Sequence, residues 1–299
     1  MGINGNKRTD LALEARELWK ESAGEATKLE GVIAREESAG GFSVTTVEIL
    51  DERGAAELKK PVGVYITLEL DALMRREENS FADAVKLLAD KLRRALKLSA
   101  KESVLVVGLG NEAITPDAIG PQAADYVLAT RHLCKGMPKE FAAFREVSVI
   151  RTGVLGTTGM ESTDMVSAVL TSLKAQRVIA IDALASCRSD RLCRTVQLAD
   201  TGIVPGSGVG NSRGALNEAA LGIPVVAVGV PTVVDAVTLA ADFAEKRGVE
   251  MPKSDEQSGM IVTPRDIDKS VHDISKLIGY GINMALHEGL TIEEIDIFV

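Results

Sequence analysis

Apolar and polar positions follow two different rhythms along this chain. Up to about residue 100 the pattern is mixed. LALEARELWKES carries Leu11, Leu13, Ala15, Leu18 and Trp19 on one side of a predicted amphipathic helix. VTTVEIL (44 to 50) and VYITLEL (64 to 70) alternate with a period of two, which sets Val64, Ile66, Leu68 and Leu70 on one strand face. After Ser80, with Asp83 three residues on, Phe81, Val85, Leu88, Leu92 and Leu96 recur at helical spacing, so a long helix capped by Ser80 is expected. From residue 103 the rhythm changes to short apolar runs: SVLVVGLG, VSVIRTGV, RVIAIDAL and PVVAVGVP, each ending in Gly, Asp or Pro. The segments between them are long enough for crossover helices, so the runs belong to a buried, parallel sheet. Thr263-Pro264 predicts the cap and first turn of a last long helix through Ile267, Val271, Ile274, Ile278 and Ile282. The tail TIEEIDIFV is expected as an edge strand, and GVEMPKSDEQSG (248 to 259) as an exposed loop.

Composition sharpens this picture in one respect. Only 3% of the 299 residues are aromatic and 27 are glycine, so the core is built from Val, Ile, Leu and Ala. The expected fold is therefore α/β, a mostly parallel central sheet flanked by helices. A net charge of −9 argues against a surface for bare nucleic acid, which needs clustered Lys and Arg. A basic or neutral polypeptide is the better partner. Three cysteines, Cys134, Cys187 and Cys193, without a C-x-x-C pair, suggest neither a disulfide framework nor zinc. No run of about 18 apolar residues is present, so no membrane partner is expected, and the compartment is read as reducing and cytoplasmic.

The chemistry concentrates in VVGLGNEAITPDAIGP (106 to 121). Gly108, Gly110 and Ala113 satisfy a relaxed dinucleotide fingerprint directly after a strand. A pyrophosphate, however, needs an unbroken helix starting in that turn, and Pro116 and Gly120-Pro121 bend the chain before a helix expected at Gln122. No second strand ends in an acid at the distance a ribose requires. Asp117 instead pairs in character with Asp182, which follows the apolar run RVIAI. The carboxyl ends of parallel strands form the ligand crevice of an open α/β sheet, so both acids can reach one rim. Two carboxyl groups in one low-dielectric site share a proton and work together as acid and base, which suits peptide hydrolysis. Each also has a structural reading, Asp117 in a helix start and Asp182 as an N-cap. A second glycine-rich stretch, DTGIVPGSGVGNSRG (200 to 214), reads as a phosphate nest or as a tight loop at the sheet edge. In RTDLALEA, Asp10 can simply cap the first helix.

Taken together, RTDLALEA, VVGLGNEAITPDAIGP, GTTGMESTDMV, VIAIDALAS, LADTGIVPGSGVGNSRG, GIPVVAVGVPTVVDA and MIVTPRDID resemble the germination protease family of endospore-forming bacteria. The resemblance runs through most of the chain. It implies an atypical aspartic-type endopeptidase without a cofactor or metal, with Asp117 and Asp182 as catalytic residues. It implies small acid-soluble spore proteins as substrates, cut at the start of germination in the spore core. It implies a zymogen that cuts itself between Asp10 and Leu11, dividing a propeptide of residues 1–10 from a single protease domain of 11–299. A homotetramer, and a fold similar to the hydrogenase-maturation endopeptidases (phosphorylase/hydrolase-like), are implied as well. Two other functions stay open: a metal-dependent maturation endopeptidase of that fold, which would need one of His132, His272 or His287, and a dinucleotide-binding protein. The glycine-rich loop from Pro205 to Gly214 is a candidate wall of the substrate cleft.

Overall fold

The computed structural model of the chain describes residues 7, 9–23, 29–99, 102–209, 213–249 and 259–299. Its strands are β1 (Val32–Ala39), β2 (Phe42–Ile49), β3 (Gly63–Glu69), β4 (Val104–Leu109), β5 (Val147–Gly153), β6 (Arg177–Ala185), β7 (Thr195–Ala199), β8 (Val225–Asp235) and β9 (Ile261–Val262). They form one sheet in the order β1-β2-β3-β7-β8-β6-β4-β5, with β9 added to β8. The four apolar runs are β4, β5, β6 and β8, and they pair in parallel. The α/β architecture with flanking helices is as expected. The sheet is mixed, however, and the parallel arrangement covers only that half, because β1, β2, β3 and β7 pair antiparallel. Helical crossovers begin only after β3, and a parallel pair cannot form without one.

Helices cover both faces. On one side Ser80–Leu96, Ile119–Asp125 and Ile267–Leu286 pack Val85, Leu88, Leu92, Ile274 and Ile278 against Ile179, Ile181 and Val228 of the sheet. On the other side the helix Ala12–Ala23 packs Ala12, Ala15 and Trp19 against Val47, Ile49 and Tyr65. Beside it Ser162–Leu173 sets Val166 on Leu105, Val107 and Ala180. Burial of such aliphatic side chains contributes roughly 1.5–3 kcal/mol each, and the strands that carry the candidate site are packed in this way on both faces.

Several boundaries differ from expectation, each for a local reason. Ser80 is the first residue of its helix rather than the cap. Asn79 takes that place in the left-handed region without a side-chain bond. The last long helix starts at Ile267, and the Thr263 hydroxyl instead donates to the Thr232 carbonyl at 2.9 Å. The tail is a helix, Ile292–Phe298, and not an edge strand. Thr291 Oγ1 accepts from Glu294 N–H while Glu294 Oε2 accepts from Thr291 N–H, a reciprocal cap that outweighs the alternation of TIEEIDIFV. Most of the expected loop at 248 to 259 lies outside the described residues. Among those described, no helix is long and apolar enough to cross a membrane.

Candidate active site

The turn after β4 is shaped by backbone meeting backbone. Gly110 sits at φ +109°, and a Cβ there would lie 2.1 Å from the Asp117 carbonyl oxygen. A Cβ on Gly120 would lie 2.2 Å from the Leu109 carbonyl oxygen and 2.5 Å from that of Ile181. Glycine alone permits both approaches, and they press the start of the next helix onto β4 and β6. That helix begins at Ile119, earlier than Gln122, because Pro121 falls in its first turn, where a missing N–H costs nothing. The glycines that mimic a dinucleotide fingerprint are thus used for folding the turn onto itself.

Asp117 closes the short 3-10 turn Thr115–Asp117. Its N–H donates to the Ile114 carbonyl at 2.7 Å, and its Oδ2 accepts from the Asn111 N–H at 2.8 Å. The Thr232 hydroxyl on β8 donates to the Pro116 carbonyl at 2.7 Å and fixes the turn from the side. Burial raises the Asp117 carboxyl above its usual range, against the lowering effect of the Asn111 N–H.

Asp182 lies within β6, which continues to Ala185, so it is neither beyond the strand nor an N-cap. Its side chain is only 5% exposed, and Oδ1 accepts from the Ala183 N–H at 2.9 Å. Burial pushes its carboxyl well above the usual range. The negative charges of Asp117 and, more weakly, Asp10 push the same way, against the Ala183 N–H. The two acids picked out in the sequence therefore come close enough for the charge of one to act on the other, Asp117 from the turn that follows β4 and Asp182 from the neighbouring parallel strand β6.

The N-terminal segment is docked at the far end of β6. Asp10 N–H donates to the Ala185 carbonyl at 2.9 Å, and Asp10 Oδ2 accepts from the Ala185 N–H at 2.9 Å. Ser207 Oγ donates to Asp10 Oδ1 at 2.6 Å. Leu11 and Ala12 are fully buried. One turn on, the buried Glu14 accepts from the Thr9 and Ser186 hydroxyls and from the Cys187 N–H, with Arg191 at 3.7 Å. Lys60 donates to the Thr9 carbonyl at 3.1 Å. None of Glu14, Lys60, Gln197 or Ser207 stands out in the sequence; the only signal is that Ser207 belongs to the second glycine-rich stretch. In that stretch, Asp200 Oδ1 accepts from the Val64 N–H at 2.7 Å, a structural task that accounts for Asp200-Thr201-Gly202.

The three histidines lie on other elements. His132 lies in the helix Arg131–Gly136, and His272 faces the Tyr126 hydroxyl at 3.4 Å. His287 Nδ1 accepts from the Arg145 N–H at 3.3 Å, and burial, helped by the Arg145 charge, lowers its pKa to about 4. Among the described residues no three His, Cys, Asp or Glu side chains are grouped to hold a metal ion.

Comparison with known proteins identifies the family. A family model described as germination protease matches residues 12–259. Curated germination proteases match nearly end to end. That of Caldanaerobacter subterraneus subsp. tengcongensis is 43% identical over 97% of each chain. That of Clostridium tetani is 41% identical over 98% of this chain and 99% of its own, and that of Bacillus mycoides 35% over 94% and 93%. A solved NiFe hydrogenase maturation protease from Thermococcus kodakarensis KOD1 superposes with a TM-score of 0.36 at 16% identity, over 64% of this chain and 98% of that one. The chain is a peptidase of α/β architecture. It belongs to the germination protease family.

Proposed function

We propose that this protein is an aspartic-type endopeptidase in which Asp117 and Asp182 share a single proton. Asp182 is the more deeply buried and has the charge of Asp117 beside it, so it keeps the proton. Asp117 is the less deeply buried partner and takes the role of base. In the hydrolytic step Asp117 removes a proton from water as the water oxygen bonds to the peptide carbonyl carbon, and Asp182 donates its proton to the carbonyl oxygen. The tetrahedral intermediate then collapses. The carbon–nitrogen bond breaks, the Asp117 proton passes to the leaving amine, and a hydroxyl proton returns to Asp182.

The substrates in this reading are the small acid-soluble spore proteins, and the setting is the spore core at germination. The relatives carry the germination setting in their name. The chain is a zymogen: cleavage between Asp10 and Leu11 separates residues 1–10 from a protease domain of residues 11–299. Docking of Asp10 at Ala185, three residues beyond Asp182 on the same strand, supports this reading. A homotetramer completes the proposal by family resemblance.

One observation carries the reading: Asp182 is buried within β6, beside β4 and the turn that holds Asp117, where the charge of Asp117 acts on it. The test is replacement of each aspartate by Asn, followed by N-terminal mass analysis after mildly acidic incubation and by cleavage of a purified spore protein. Both variants should keep a native circular dichroism spectrum and lose both activities. Self-cleavage or substrate cleavage in either variant refutes the dyad.

A further inference from the structure

One buried side chain holds the Asp10–Leu11 peptide bond from both ends. Gln197, on β7, is only 6% exposed. Its Nε2 donates to the Asp10 carbonyl oxygen at 3.3 Å, and its Oε1 accepts from the Ala12 N–H at 2.8 Å. The partners fix which end of the amide is which, because a carbonyl only accepts and an N–H only donates. Both contacts are to main chain, so they do not depend on the side chains of residues 10 to 12.

The same residue lies in line with Asp182. Asp182 on β6 and Gln197 on β7 are each in register with Gly229 on β8, the strand between them. Side chains in register across a sheet share a face, so the Asp182 carboxyl and the Gln197 amide stand on the same one. Gly229 puts no side chain between them. Leu184 of β6 folds over it instead, since a Cβ on Gly229 would lie 2.3 Å from Leu184 Cδ1. Asp10, Leu184, Gln197 and Gly229 border one cavity of about 210 Å³.

We propose that Gln197 is a catalytic residue of self-cleavage, whose Nε2 stabilises the negative charge developing on the Asp10 carbonyl oxygen while its Oε1 holds the leaving side of the bond through the Ala12 N–H. This rests on the self-processing endopeptidase reading above. As the water oxygen bonds to the Asp10 carbonyl carbon, the carbonyl electron pair moves onto its oxygen. A donor already aimed at that oxygen strengthens with the charge and has no reorganisation left to make. Gln197 lends a hydrogen bond and keeps its protons; the proton that reaches the oxygen comes from Asp182. When the carbon–nitrogen bond breaks, Oε1 still holds Ala12, so the new N-terminus stays with the body of the protein as residues 1–10 leave. An anchor for the first helix would need only the acceptor end of this amide. The donor end meets the one atom of the bond on which charge builds.

Self-cleavage is followed by intact mass as loss of residues 1–10 from the full-length chain. Gln197→Met, which keeps the side-chain length and removes both contacts, should slow it by about 100-fold, the scale of one oxyanion donor. Gln197→Glu separates the two ends, because an ionised carboxyl still accepts from the Ala12 N–H but offers the Asp10 carbonyl no donor. In the inactive Asp182→Asn background, hydrogen exchange at the Ala12 amide should speed up with Gln197→Met and stay slow with Gln197→Glu. Protonation gives the new carboxyl a donor again, so the rate of Gln197→Glu relative to wild type should rise as pH falls from about 9 to about 5. The titratable groups around it, Asp10 and Glu14 on the N-terminal segment, Lys60 before β3 and Asp182 on β6, are common to both chains and leave the ratio to the new group. Wild-type speed in Gln197→Met, or a Gln197→Glu ratio that stays flat with pH, overturns the assignment and leaves the dyad standing. If Gln197→Met does not fold, the Gln197→Glu ratio decides alone. Self-cleavage by Asp117→Asn overturns the protease reading instead. A wild-type chain that keeps residues 1–10 overturns the role given to Gln197, and its cleavage of a purified spore protein would still uphold the endopeptidase.

Discussion

Thr232 and Pro116 are joined by a 2.7 Å hydrogen bond that ties the turn bearing Asp117 to β8, the strand that pairs with the strand of Asp182. Thr232 is fully buried, and its own carbonyl accepts from Thr263. Replacing it with Val keeps the shape but leaves the Pro116 carbonyl without that donor. Stability should fall by about 1–3 kcal/mol. Because the bond positions Asp117 and does not touch substrate, kcat should drop while KM changes little, and Thr232→Ser should recover most of the loss. Steady-state kinetics with a fluorogenic peptide, beside denaturant titration, would read both effects.

The burial of Asp182 has a consequence for stability that depends on pH. Its carboxyl is raised in the folded chain above the ordinary 3.8. The stability that goes with its protonated form is complete below the ordinary value and is lost as pH rises through the raised one, at about 1.4 kcal/mol per unit of difference. Asp117, also raised, acts in the same direction. Asp182→Asn should therefore melt higher than wild type at neutral pH, with the gap closing toward about pH 4. A wild-type chain that outlasts the variant at neutral pH contradicts this.

Gly110 and Gly40 offer a matched pair. Both have positive φ, +109° and +59°, but a Cβ on Gly110 would strike the Asp117 carbonyl whereas one on Gly40 meets nothing within 4 Å. Alanine at either position should cost on the order of 1–3 kcal/mol from backbone strain. Only Gly110→Ala should also displace Asp117, with a loss of activity of about 100-fold, the scale expected for a misplacement of about 1 Å. Equal activity in the two variants would mean that the turn tolerates movement.

Glu14 is the buried anchor of the first helix. Removing it as Glu14→Ala strips acceptors from Thr9, Ser186 and Cys187 and takes one of the carboxylates away from Arg191, which keeps its pair with Glu17. A loss of about 3–5 kcal/mol is expected, as for other buried charged groups that lose a partner. The N-terminal segment should loosen before the rest. Limited trypsin digestion followed by mass spectrometry should then find cuts within residues 7–20 that the wild-type chain resists.

What could be read in the sequence follows from where the chain is buried on both faces. β4, β5, β6 and β8 stand out as apolar runs because parallel strands under two helical layers have little polar surface. Asp182 stands out because it interrupts such a run with a charge, and Asp117 because it lies in a proline- and glycine-bounded turn just after one. β1 was unforeseen: VIAREESA lies at the sheet edge with most residues exposed, so it has no alternating signal. The final helix was misread because Ile292, Ile295 and Ile297 suggest a strand, while its start is written in Thr291 and Glu294. The contacts of Asp10 are not legible for a different reason. Lys60 on one side and Gln197 and Ser207 on the other are far from Asp10 in the chain and ordinary in type, and only the path of the sheet brings them to it.

The close approach of Gly120 to Leu109 and Ile181 limits how such an enzyme can be altered. At Gly120 the first turn of the next helix meets β4 and β6 main chain to main chain, so any side chain added there would push the whole turn away. Efforts to alter what such an enzyme cuts will have to leave the glycines of the aspartate turn as they stand.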